Sequence, residues 1–208
     1  MFQEQIFDQL CIDAWRAELS RDRALSAARI IINLAVLHQG SLVADFGCGV
    51  GLISLALAKN GMHVFGIDRS GAAIAEAEKV ALPQCVFLES DWQDCVLPEP
   101  VDCAFFWFTS LCAGRERDLQ ALQVARRSLK DNGVLLLETR HWDRMIRQFQ
   151  CRSERRSGVL TLIELHSYNP LTGFQETEEI YSTGGTTIRR QYHTRRYTFP
   201  EPGESHEI

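Results

Sequence analysis

Residues 43–61 read VADFGCGVGLISLALAKNG, and within them Gly47, Gly49 and Gly51 fall in five consecutive positions. An apolar run enters this turn and a helical pattern leaves it. Glycine weakens a regular element unless the backbone must take a positive φ or let another group approach closely. A bare turn between strand and helix therefore restricts the chain to folds that present such a turn to a ligand. Asp45 stands two residues ahead of the first glycine.

The rest of the chain fits that restriction. LVADF, HVFGID, CVFLESD, VDCAFFWF and VLLLET read as strands, the fourth with a continuous apolar run after Asp102 as a strand covered on both faces should have. Between them lie ALSAARIIINLAVL, LISLALAKN, SGAAIAEAEKVAL and RERDLQALQVARRSL, which carry helical periodicity. The first of these places Leu25, Ala28, Ile32 and Ala35 on one stripe, and Ser70 is placed to cap the third. Asp131-Asn132-Gly133 reads as the turn into the fifth strand. Strand–helix alternation predicts an α/β fold: a Rossmann-like, doubly wound, mostly parallel sheet. After Arg152 the pattern changes to GVLTLIELHSY, FQETEEIYS and TIRRQYHTRRYTF, joined by NPLTG and by Gly184-Gly185, a hairpin signal. This predicts an antiparallel β extension in which Glu176, Glu178 and Glu179 face Arg189, Arg190, Arg195 and Arg196. The expected organisation is a ligand-binding core with N-terminal helices over 1–150 and the extension over 151–208.

Composition narrows the partners. The 208 residues carry a net charge of -5, the wrong sign for a nucleic-acid groove. No run of about 20 apolar residues suits a membrane span, and the N-terminus MFQEQIFDQL has no signal-peptide pattern. Seven cysteines, none in CxxC spacing, read as reduced thiols of a cytoplasmic protein rather than as disulfides or metal ligands.

Ligands of such sheets bind outside the carboxyl ends of the strands. The glycine turn, Asp68, Asp91 and the WFTS stretch all fall at such ends. An acid closing the second strand suits ribose hydroxyls, a feature shared with nicotinamide-binding proteins. The glycine spacing GxGxG differs from the dinucleotide fingerprint GxGxxG. The alternative reading of Asp45 is a turn or helix-capping aspartate.

The Asp-x-Gly-x-Gly-x-Gly run resembles motif I of the class I S-adenosylmethionine-dependent methyltransferases. Four blocks, GCGVGLISLALAKNGMHVFGIDRS, FFWFTSLCAG, RRSLKDNGVLLLETRHWDRMIRQF and YNPLTGFQETEEIYSTGGTTIRRQYHTRRYTFPE, are similar, in order, to small-molecule members with a methyltransferase-25-type domain. The resemblance implies S-adenosyl-L-methionine as cofactor. It puts the backbone of Gly47, Cys48, Gly49 and Gly51 against the methionyl carboxylate, and Asp45 against the ammonium. Asp68, followed by Arg69, takes the ribose, and Asp91 and Trp92 the adenine, with Phe106 beside them. Trp107, Phe108, Thr109 and Ser110 then line the approach of the acceptor, and His141 is the candidate general base. Phe7 and Trp15 are candidates for a lid. No metal is implied. The implied reaction is methyl transfer to nitrogen or oxygen of a small-molecule acceptor. A non-catalytic S-adenosylmethionine-binding or scaffold protein, and less so a NAD-dependent oxidoreductase, are the rival readings. The chain departs from the family pattern at Ser110–Gly114 and at His141, where asparagine is common. It also stops at Ile208, ahead of the family's last strand pair, which leads to the expectation of an uncovered sheet edge and of a homodimer.

Overall fold

The computed structural model describes residues 21–108, 111–139 and 141–197. The described residues form two compact units. The first holds 21–108, Leu111 and 116–138, and the second holds 112–115, Thr139 and 141–197.

The first unit runs α1 (Arg21–Leu34), β1 (Leu42–Phe46), α2 (Leu52–Lys59), β2 (His63–Asp68), α3 (Gly71–Glu78), β3 (Cys85–Glu89), β4 (Val101–Phe106), α4 (Arg115–Ser128), β5 (Leu129–Leu137). Its five strands are parallel and ordered β3-β2-β1-β4-β5. Alternate residues of one strand feed opposite layers. Val43, Val64, Cys103 and Phe105 pack with Ala24, Ala28 and Ile31 of α1 and Ile53 and Leu57 of α2. Ala44, Phe46, Ile67, Ala104 and Phe106 pack with Ala121, Val124 and Ala125 of α4 on the other face. Both faces are therefore covered, which is why these strands are apolar without alternation. The buried stripe of α1 is Ala24, Ala27, Ala28 and Ile31, while Leu25 and Ile32 lie at its half-buried margin. Ser70 caps α3 as expected, its Oγ accepting from Ala73 N–H at 3.2 Å, a contact worth about 1 kcal/mol.

The strand order reverses at β1, which lies between β2 and β4. That reversal opens the crevice where a doubly wound sheet binds its ligand. Asp131–Gly133, expected as a turn, instead lies within β5. Leu129 pairs with Val101 and Val134 with Cys103, so the intervening residues bulge out of the ladder. Lys130 Nζ, 2.7 Å from Asp102 Oδ1, ties the start of that bulge to β4.

The second unit holds α5 (Trp142–Ile146), β6 (Arg152–Ser157), β7 (Leu160–Asn169), β8 (Phe174–Thr183) and β9 (Thr186–Arg195), the strands forming an antiparallel sheet in that order. It begins ahead of residue 151. Trp142 is 2% exposed and packs on Phe149, Tyr168 and Arg196, which draws α5 into this unit. The β7–β8 turn is held by Asn169 Oδ1, which accepts from Leu171 N–H at 2.9 Å. Gly184 and Gly185 take φ 53° and 89°, the two positive angles that a two-residue hairpin demands. The expected charge pairing is partly realised: Arg189 meets Glu178 at 2.8 Å and Arg190 lies 3.8 Å from Glu179. Arg195 lies over Phe174 and Tyr197 instead, and Arg196 donates to Gln175 Oε1 at 3.0 Å. Strand β6, RSERRS, was invisible to hydrophobic patterning because none of its residues is buried. Its ladder to β7 and the ion pairs of Arg152 and Arg156 with Glu154 define it.

Candidate cofactor site

The site is built on the turn that follows β1. Gly47 N–H and Cys48 N–H both donate to Ile67 O, at 2.8 and 3.0 Å, which hooks the turn onto β2. Gly47, Gly49 and Gly51 have φ of 80°, 53° and 74°, so three left-handed residues in five account for the glycines. Gly51 has a second reason. A Cβ there would lie 2.6 Å from Phe87 Cζ and 3.1 Å from Ala77 Cβ. Gly51 O then accepts from Leu55 N–H at 2.8 Å and begins α2.

Two carboxylates flank this turn. Asp45, at 3% exposure, accepts from Ser54 Oγ at 2.6 Å. Burial lifts its carboxyl to about 7, with Ser54 opposing the rise and the neighbouring Asp68 adding to it. Asp68 ends β2 half-buried. Its Oδ2 accepts from Gly49 N–H at 2.8 Å and its Oδ1 from Ser70 N–H at 2.9 Å. Burial raises this carboxyl too, against the pull of the two amides. Among the described residues, neither aspartate has an ion-pair partner within 4 Å. Two crowded carboxyls beside a bare glycine turn suit a ligand that carries a cationic ammonium, a carboxylate and a sugar diol. S-adenosylmethionine has all three, so the residues present fit it.

The other expected contacts are placed less uniformly. Asp91 lies beyond β3, its Oδ2 3.2 Å from Arg117 Nη2 and its Oδ1 3.3 Å from Gln93 N. Arg117 lies over Trp92, which packs on the α4 face of the core. Cys48 packs beside Phe87, and burial pushes its thiol well above the usual range. The Arg69 side chain is exposed, and its charge acts on Asp68 only from a distance. Phe106 is 1% exposed and stacks on Phe46 at 5.1 Å, which leaves a cofactor only its backbone. Trp107 meets Phe105 edge-on, and Phe108 takes φ 53° beneath the Arg23 guanidinium. Thr109, Ser110, Phe7 and Trp15 lie outside the described residues. His141 is exposed in the second unit, where its Nδ1 accepts from Arg144 N–H at 3.3 Å and caps α5. In the neutral ring that leaves the proton on Nε2 and the basic lone pair already engaged.

Two residues escaped the sequence reading. Ser54 is the one hydroxyl in the apolar helix LISLALAK, a polar residue at a core position and so a legible signal. Glu138 follows the apolar VLLL run, and its Oε2 accepts from Phe108 N–H at 2.8 Å.

A doubly wound sheet reversing at β1, an acid before a left-handed glycine turn and an acid closing β2 form the arrangement that the sequence resemblance to class I S-adenosylmethionine-dependent methyltransferases implies. Residues 43–133 match the Methyltransf_25 family, a methyltransferase domain. A ribosomal protein L11 methyltransferase of Helicobacter hepaticus is 36% identical over 63 residues, 30% of this chain and 20% of that protein. A cypemycin N-terminal methyltransferase of a Streptomyces species is 26% identical over 144 residues, 66% of this chain and 58% of that protein. The chain thus spans less than two thirds of either curated relative. The fold is also that of CalS10 with bound S-adenosylmethionine, an amino pentose methyltransferase of Micromonospora echinaspora. The TM-score is 0.69 at 20% identity, over 94% of this chain and 86% of that one.

Proposed function

We propose that this protein transfers the methyl group of S-adenosylmethionine to a nitrogen or oxygen of a small acceptor molecule. The observation that carries the reading is the buried Asp45 beside three left-handed glycines, which suits a cationic amino-acid ligand and opposes the anionic pyrophosphate of a dinucleotide. When bound, the cofactor supplies a methyl group already activated as a sulfonium. The protein supplies alignment and exclusion of water. Asp45 holds the ammonium, the glycine turn makes room for the carboxylate, Asp68 takes the ribose hydroxyls, and Asp91 and Trp92 border the adenine. Trp107 and Phe108 wall the acceptor side. The relatives named for an N-terminal amine and an amino pentose favour nitrogen. So does the engaged lone pair of His141, because an amine needs no protein base once its proton has passed to solvent.

The proposal includes a cytoplasmic setting for the cysteines and self-association of two copies. Among the described residues β5 pairs only with β4, and an open strand edge is a liability that a second copy relieves. No helix among the described residues is long and apolar enough to cross a membrane. Calorimetry with S-adenosylhomocysteine and with NAD, followed by a radiolabelled methyl-transfer screen over small amines and alcohols, tests the function. Saturable binding of the first ligand and not the second, with label reaching an acceptor, is expected. Cofactor binding without transfer to any acceptor points to the non-catalytic reading, and NAD binding alone overturns both.

A further inference from the structure

Resting on that reading, we propose that Glu138 is the specificity-determining residue of the acceptor side, and that it selects an amine. Glu138 extends the ladder one residue past β5, its N–H donating to Phe106 O at 2.9 Å. It therefore stands at the carboxyl ends of β4 and β5, on the rim where this fold binds ligands. Its side chain turns to the loop after β4, where Oε2 accepts from Phe108 N–H at 2.8 Å. That bond holds Phe108 at φ 53°, a left-handed angle that an aromatic residue rarely takes. Among the described residues the other oxygen, Oε1, has no hydrogen-bond partner, and no lysine, arginine or histidine pairs with the carboxylate. Arg23, which comes near from α1, lies over the Phe108 ring at 5.0 Å instead.

A half-buried carboxylate without a counter-charge is costly unless something brings one. Oε1 can only accept, so it takes an N–H or O–H donor and repels a carboxylate. A cationic donor is preferred over a neutral one because charge-assisted bonds are about twice as strong. Trp107 and Phe108, both half-buried, add aromatic faces that attract an ammonium. After the amine gives its proton to solvent, Glu138 still accepts from the remaining N–H. The acceptor class is accordingly a primary or secondary amine on a small molecule.

The test uses the full chain saturated with S-adenosylhomocysteine and two isosteric probes, phenethylamine and 2-phenylethanol, titrated by calorimetry. The amine is expected to bind at least about tenfold more tightly than the alcohol. Glu138→Gln keeps an oxygen for Phe108 N–H and so keeps the loop, and is expected to reduce that preference to about twofold or less. Equal binding of the two probes, or no saturable amine binding up to about 10 mM, overturns the proposal. A Glu138→Gln protein that retains the full preference overturns it as well and leaves Glu138 as a loop anchor. Absence of S-adenosylhomocysteine binding by the unaltered chain is read in a separate titration of that ligand alone. It overturns the cofactor reading itself, and with it the proposal.

Discussion

Asp45 is a carboxyl buried for a purpose other than stability. Its folded value of about 7 lies above that of an unfolded aspartate, so the folded protein binds the proton more tightly. The stability this lends is complete below about pH 4 and is lost as pH rises to about 7, a loss on the order of 4 kcal/mol. Urea denaturation of the ligand-free protein between pH 4 and 8 should show that decline, and Asp45→Asn should flatten it. The same substitution should weaken S-adenosylhomocysteine binding at pH 8 by at least about tenfold, since an ammonium beside a buried carboxylate is worth more than 1 kcal/mol. In the unaltered protein affinity should rise with pH through about 7, with proton release detectable by calorimetry in buffers of different ionisation enthalpy. Affinity independent of pH would remove Asp45 from the ammonium. Asp68→Ala loses both the diol acceptor and the anchor of Gly49 N–H, and should weaken cofactor binding by roughly 1–3 kcal/mol.

At the scale of elements, the β1–α2 turn is over-determined. Its amides are hooked to Ile67 O, Gly49 is tied to Asp68, and Gly51 is pressed against the Phe87 ring. Gly51→Ala therefore meets both a positive φ and a 2.6 Å contact. It should lower stability by about 2 kcal/mol or more. Adding Phe87→Leu should return part of that loss, because it relieves the crowding but not the backbone angle. Chemical denaturation of the three variants checks this. Full recovery in the double variant would show that the φ carries no cost. Gly49 at φ 53° is open to the same strain, so a valine there is expected to impair folding as well as binding.

Across the whole molecule, the proposed cofactor-binding residues belong to the first unit and the antiparallel sheet to the second. Saturating S-adenosylhomocysteine at about 100 times its Kd should stabilise the protein by about 2.7 kcal/mol. Hydrogen exchange should show the gain at residues 45–51, 66–70 and 90–93. Protection confined to β7–β9 would move the site to the other unit. Sedimentation across a concentration series tests the proposed pairing of two copies, and a monomer at high concentration rejects it.

The five parallel strands, their helices, the Ser70 cap and the Gly184-Gly185 hairpin were legible in the sequence, because each rests on local periodicity or a local φ requirement. So was the glycine turn with Asp45 and Asp68, a contiguous signature. Strand β6 was not legible, since its six polar residues become a strand only through the ladder to β7. Nor was the bulge in β5, because Asp131–Gly133 has turn composition and the β4 ladder draws it into the sheet. The chain alone places Phe106 and Trp107 side by side. Alternation across a twice-covered sheet sends Phe106 into the α4 layer and Trp107 to the other. The charge state of Asp45 and the unpartnered oxygen of Glu138 belong to the tertiary structure. Each depends on groups distant in sequence or on the water that packing removes, and neither is written in local order.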